Sequence, residues 1–217
     1  FFFKQKTAYE IVDCDWSSDV CSSDLFRLVQ RAASSEELSA LKRFGAVSQV
    51  ASLRTMAQPG TAPSPSRRLL IDLKAVDDRY PLVGKLVLDP VWPLDKALAE
   101  DNGAFGAVAA PDFAGRLGLE LGDVFSIGDA RFELRAIIRA EPDRGGQGLS
   151  FGPEVMIGRK ALDATGLVRP GSLVRNNYRV VLASDSPLTP EQAADVITRN
   201  FPTSGFRART QIGRAHV

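Results

Sequence analysis

Cysteine and histidine are nearly absent. The 217 residues hold two cysteines, Cys14 and Cys21, and one histidine, His216, and neither type occurs between Phe26 and Thr210. That central stretch therefore excludes a Ser-His triad, a cysteine nucleophile and a zinc site of the usual ligands. Long apolar runs are also missing. The longest falls far short of the ~20 residues a membrane-spanning helix needs, so this stretch does not cross a bilayer. No sign of charge dominates either: 27 Lys plus Arg against 26 Asp plus Glu gives a net charge of +1. The overall balance thus supplies no electrostatic argument for nucleic acid or an anionic membrane. What is present is ordinary for a globular chain, with 44% hydrophobic and 24% charged residues, which rules out wholesale disorder and collagen-like structure.

The two ends look foreign to the middle. Residues 1–25, FFFKQKTAYEIVDCDWSSDVCSSDL, keep neither a helical nor a strand period. Lys4 and Lys6 could open a signal peptide, but no apolar stretch of the required length follows. FKQKTAYEI and CDWSSDVCSSDL resemble an in-frame translation of a sequencing adapter, and QIGRAHV at 211–217 resembles the complementary adapter. These segments read as artefactual tails and are set aside from fold reasoning. The remaining 26–210 has 185 residues. Without Lys4, Lys6 and Arg214 and the five acidic residues of the first tail, it carries 24 basic and 21 acidic residues, a net charge of +3. A chain of that size can bury roughly 70% of its unfolded surface, enough for a real core. Open at both ends, it is expected to come from a longer protein.

Strands and short helices alternate along 26–210. Phe26–Gln30 alternates as a strand, Ser34-Ser-Glu-Glu37 has the capping-box form, and Val47–Met56 reads as a second strand. Residues 58–66 are rich in Pro, Gly, Ser and Thr and read either as a linker between two subdomains or as the tip of a long hairpin. Arg68–Val76, Lys85–Leu88, Ala104–Ala109, Glu154–Ile157, Val174–Leu182 and Gly205–Arg209 are further strand candidates. Helices are expected at Pro93–Glu100, ended by Asn102-Gly103, at Asp112–Leu119, at Lys160–Thr165, and after a second capping box at Thr189–Gln192. Asp123–Ile127 and Ala130–Arg139 form a hairpin across Gly128-Asp129. Phe132, Leu134, Ala136 and Ile138 are expected on one face and Arg131, Glu133 and Arg135 on the other, a one-sided, half-solvated antiparallel sheet. The fold class is α+β, with mixed, largely antiparallel sheets and short helices.

Candidate chemistry is sparse. Asp77 and Asp78 could form a carboxylate site, but adjacent strand residues point to opposite faces, and a turn at Asp77-Asp-Arg-Tyr-Pro81 is the preferred reading. Gly145-Gly-Gln-Gly148 could cradle a phosphate, yet it lacks both the P-loop Gly-Lys-Ser/Thr and a dinucleotide fingerprint. A surface loop is preferred there, with Asp143 and Arg144 beside it as an ion pair or partner contact. Tyr80 and Trp92 could form an exposed aromatic ledge, with core or edge packing preferred.

The ordered set LKAVDDRYPLVGKLVLDP (73–90), AVAAPDFAGRLGLELGDVFSIGDARFELRAIIRAEPDRGG (107–146) and SFGPEVMIGRKALDATGLVRPGS (150–172) resembles the extracytoplasmic domain of FtsX/MacB-type ABC transporter permeases. The likeness is to the large-loop branch predicted to act with lysophospholipase-type systems. It implies a MacB-type periplasmic core domain inserted after a transmembrane helix in a bacterial inner-membrane permease. It further implies no enzymatic activity and no cofactor in this domain, and coupling to a cytosolic ABC ATPase. Periplasmic protein or lipid cargo would be recognised here, in export or extraction of lipid, lipoprotein or other hydrophobic material. A dimer of the full permease follows from the same resemblance, with no nucleic-acid partner. No catalytic residue carries over. Asp77, Asp78, Arg79, Tyr80, Asp143 and Arg144 are the matched motif residues, for cargo, partner or purely structural roles. The alternative is a soluble enzyme or enzyme subunit using Asp and Arg near the Gly-rich loop, and a third reading is a cytosolic adaptor module.

Overall fold

A computed structural model describes residues 23–29, 31–60, 67–142, 152–183 and 186–211. The chain forms β1 (Ser23–Val29), α1 (Ser35–Lys42), β2 (Gly45–Pro59), β3 (Leu69–Val76), β4 (Val87–Asp89), α2 (Leu94–Ala97), β5 (Glu100–Asp101) and β6 (Ala104–Ala109). There follow α3 (Pro111–Leu117), β7 (Val124–Ile127), β8 (Ala130–Ala140), β9 (Glu154–Gly158), α4 (Arg159–Ala164), β10 (Arg175–Leu182), α5 (Pro190–Asn200) and β11 (Arg207–Gln211). Among the described residues no helix is long and apolar enough to cross a membrane.

Two lobes share one strand. The outer elements β1-α1-β2 and β10-α5-β11 make a β-α-β-β-α-β unit with strand order β11-β1-β10-β2, all antiparallel neighbours. This ferredoxin-like lobe buries Phe26, Leu28, Val47, Tyr178 and Val180 against α1 and α5. The described residues between β2 and β10 build the second lobe. There β2 pairs with β3, β3 with β9, β9 with β6, β6 with β8, β8 with β7, and β7 returns to β2, which closes a six-stranded barrel. Closure removes free strand edges around the ring. The β3–β9 and β6–β8 pairs are parallel, so the sheet is mixed. The expected α+β class with mixed sheets and short helices is borne out.

β2 reaches both lobes because it is long. Residues 45–52 pair with β10, 50–57 with β3, and 57–59 with β7. The barrel interior is filled by Ile71, Leu73, Phe125, Phe132, Leu134 and Ile157, with Phe113 and Leu117 of α3 closing on them. Phe113 meets Phe125 edge-on at 5.0 Å between centroids, and Phe125 stacks on Phe132 at 5.8 Å. A separate layer on the outside of the barrel packs Val76, Tyr80, Leu88, Val108, Ala136 and Met156 over Ala97 of α2.

Both capping boxes form. Ser34 accepts from the Glu37 amide at 3.2 Å while Glu37 accepts from the Ser34 amide at 2.7 Å, and Thr189 and Gln192 repeat the exchange. Glu37 also takes two hydrogen bonds from the Arg31 guanidinium, at 2.8 and 2.7 Å. That pairing holds its carboxyl below the ordinary carboxylate range and ties α1 to the loop after β1.

Four expectations change in the folded chain. The helix read at Pro93–Glu100 is only the single turn Leu94–Ala97, and Glu100 belongs to β5. Asn102-Gly103 does not end that helix. Both residues have positive φ, 49° and 75°, and form the turn between β5 and β6, as expected of Asn-Gly in a two-residue hairpin. The third change is in β8. Phe132 and Leu134 face the barrel interior, but Ala136 and Ile138 face the outer layer. The register with β6 slips between Ala107 and Val108, so Arg135 is an extra residue that turns the rest of the strand over. The half-solvated antiparallel sheet expected here is therefore a strand with β6 parallel on one side, β7 and β4 antiparallel, and apolar layers on both faces. Of the loop or linker expected at 58–66, Gln58 and Pro59 are instead the end of β2, paired with β7, and 61–66 lie outside the described residues.

Gly106 on β6 sits so close to α2 that a Cβ would collide with the Ala97 carbonyl oxygen. Gly115 in α3 has open space around it. Gly106→Ala should lose about 1–3 kcal/mol to overpacking, whereas Gly115→Ala should gain about 0.5–1 kcal/mol from helix propensity. Urea unfolding of the two variants measures both signs.

Candidate functional site

Lys74 is the anomaly of the fold. It sits in β3 between Leu73 and Ala75, and its side chain is only 2% exposed. An ammonium in such surroundings must be paired. On β3 the odd positions Ile71, Leu73 and Ala75 point into the barrel, so Lys74 points to the outer layer. There its Nζ ion-pairs with Glu141 Oε1, whose side chain is also 2% exposed. Nζ donates to the Tyr80 hydroxyl at 2.9 Å and lies 4.6 Å from that ring's centroid. The Tyr80 hydroxyl donates onward to Glu141 Oε1 at 2.7 Å. Burial opposes the charge on Glu141, but the Lys74 ammonium, a hydrogen bond with the Glu154 carboxyl, and the Lys74 and Tyr80 bonds outweigh it. The Glu141 carboxyl is held below the ordinary carboxylate range.

The turn after β3 is fixed by Asp77. Its carboxylate accepts from Ser48 Oγ at 2.8 Å, from the Gln49 amide at 2.7 Å and from the Arg79 amide at 3.3 Å. The last is the local Asx-type bond expected of Asp in a turn. Asp77 thereby ties the turn to β2 and sets Tyr80 over Lys74. The segment 73–80 and residues 141 and 154 are thus one polar knot. It joins the end of β3, the following turn, the residue after β8 and the first residue of β9.

The matched motif residues divide clearly. Asp77 and Tyr80 belong to the knot, while Asp78 and Arg79 lie exposed on its turn. Asp143, Arg144 and the Gly145–Gly148 run lie outside the described residues. Tyr80 is buried in the outer layer at 7% exposure and Trp92 is 43% exposed, so the two do not make one aromatic ledge. Lys74 and Glu141 were not singled out from the sequence. The available signal was a lysine flanked by Leu73 and Ala75 in a largely apolar strand, LLIDLKAV, which demands a carboxylate partner once buried. Among the described residues no group of three or more His, Cys, Asp and Glu side chains could hold a metal ion. The knot itself neutralises charge and fixes geometry.

No protein-family model matches the chain. Over 140 residues it is 32% identical to the uncharacterized ABC transporter permease YbbP of Escherichia coli (strain K12). The match takes in 64% of this chain and only 16% of that protein, so the chain spans about one-sixth of the relative's length. In three dimensions it superposes on the extracellular domain of the noncanonic ABC-type transporter YknZ from Gram-positive bacteria. The TM-score is 0.55 at 15% identity, covering 86% of this chain and 99% of that one. The periplasmic region of MacB from Actinobacillus actinomycetemcomitans gives 0.54 at 10% identity, covering 87% and 88%. The chain thus shares the fold of these two extracytoplasmic transporter regions. The resemblance read from residues 73–172 is borne out at that level. Within this fold, the knot lies at the junction of the barrel's outer layer with β2, the strand both lobes share.

Replacing Lys74 by Met strands the Glu141 carboxylate, and the loss should be about 3–5 kcal/mol. Lys74→Met combined with Glu141→Leu should recover most of it, since an apolar pair substitutes well for a buried ion pair. Urea unfolding of parent, single and double variants gives the comparison. The acid limb carries a second expectation. Because the folded Glu141 titrates below its unfolded value of about 4.3, its stabilisation is complete above that pH and is lost as pH falls through the folded value. Glu141→Gln should therefore flatten the loss of stability below about pH 5. Unfolding midpoints recorded from neutral pH downward test it.

Proposed function

We propose that the chain is the extracytoplasmic domain of an ABC transporter permease of the bacterial inner membrane, lying in the periplasm. It acts as a binding domain without enzymatic activity of its own. The observation that carries this reading is the joint match: 32% identity to a permease over 140 residues, and superposition on nearly the whole extracytoplasmic domain of another transporter. In this reading the rest of the permease couples to a cytosolic ABC ATPase. The domain recognises a periplasmic protein or a lipid, lipoprotein or other hydrophobic cargo that is exported or extracted, and the permease works as a dimer. The commitment of Asp77 to three hydrogen bonds, two from β2 and one within its turn, favours a positioning role over acid–base chemistry.

The test uses the full-length permease encoded at the native locus. A cysteine is placed at the exposed Asp101 of the β5–β6 hairpin, and intact spheroplasts are treated with a membrane-impermeant maleimide. Labelling without permeabilisation is expected. Labelling only after lysis would sink the assignment. Co-purification of an ABC ATPase with the same protein is the second expected result.

A further inference from the structure

The ferredoxin-like sheet is covered by helices on one side only. Phe26, Leu28, Tyr178 and Val180 face α1 and α5. The alternating residues of the same strands point the other way, and among them are four arginines, with Asn177 and Val181 beside them. Arg27 on β1 stands directly opposite Asn177 on β10 and Arg207 on β11. Arg175 and Arg179 flank Asn177 on the same face of β10. Arg175 and Arg207 are exposed, Arg27 and Arg179 half-buried, and Arg27 Nε donates to Asn177 Oδ1 at 3.0 Å. Like charges placed directly across a strand pair cost stability, yet none of these positions on β1, β10 or β11 carries an acidic residue. Among the described residues, none of the exposed large apolar side chains lies on these three strands.

We propose that this face docks the domain on an anionic phospholipid surface. Guanidinium groups spread over three adjacent strands of a rigid sheet can meet several phosphates of a planar surface together. Arginine suits that task because its fork binds phosphate through two parallel hydrogen bonds. The inference draws on the permease reading only for placing the domain beside a bilayer. Binding to vesicles is measured on the chain alone, so it can fail while the labelling experiment succeeds, and the reverse.

The chain is sedimented with vesicles of phosphatidylcholine, with and without about one-third phosphatidylglycerol. Phosphatidylglycerol should raise binding, and high salt should remove the gain. Arg175→Gln with Arg207→Gln should weaken binding to the anionic vesicles about thirty-fold, two charges at about 1 kcal/mol each. Both side chains are exposed, and circular dichroism confirms that the variant folds. Arg116→Gln with Arg199→Gln removes the same charge from α3 and α5, away from this face, and should leave binding nearly unchanged. Equal loss in the two double variants would attribute binding to net charge and overturn the proposal. So would binding indifferent to phosphatidylglycerol, or a preference for polyglutamate over the vesicles, which would assign the face to an acidic polypeptide.

Discussion

A lysine ammonium buried inside a sheet has to be neutralised within the fold, and much of this molecule's arrangement follows from that demand. Lys74 is held by Glu141 and Tyr80, residues that follow two different strands. Satisfying it therefore fixes where β8 ends and how the turn after β3 lies. Such a pair adds little net stability compared with an apolar replacement, because desolvation offsets most of the attraction. What it supplies is a heavy penalty for any arrangement that separates the partners. A wrong register of β3 would leave one charge buried alone.

The second organising element is β2. Its first half completes the ferredoxin-like sheet and its last residues close the barrel. A strand that belongs both to an open sheet and to a closed barrel cannot pivot without breaking one set of backbone pairings. Asp77 adds a clamp at the same place, since it bonds Ser48 and the Gln49 amide on β2. The knot and the shared strand thus meet, and the two lobes are braced by backbone pairing and by buried polar contacts together.

Much of this was legible in the chain. Capping boxes at Ser34 and Thr189 follow from side chains that satisfy orphan amides within one turn, so local sequence suffices. Strand positions such as Val47–Met56 and Ala104–Ala109 follow from composition and period. The motif run 73–90 also stood out, and it does contain the knot's turn. The errors came where two residues obey a local rule with more than one outcome. Asn102-Gly103 suits a helix end as well as a hairpin turn, and only the pairing of β5 with β6 decides between them. The bulge at Arg135 was invisible because Ala136, Ile137 and Ile138 are all apolar, so no polar alternation marks the face they take.

The sequence by itself determined the class of elements, the absence of Cys and His from the central stretch, and the likeness to a permease domain. Each of these depends on residues near one another in the chain or on simple counts. Tertiary structure decided the rest. It closed the barrel through β2, paired Lys74 with a carboxylate 67 positions away, and gathered arginines from β1, β10 and β11 onto one face of a chain with a net charge of only +1. Pairing partners and shared faces are set by sheet register between distant segments, and no local pattern of residues encodes that register.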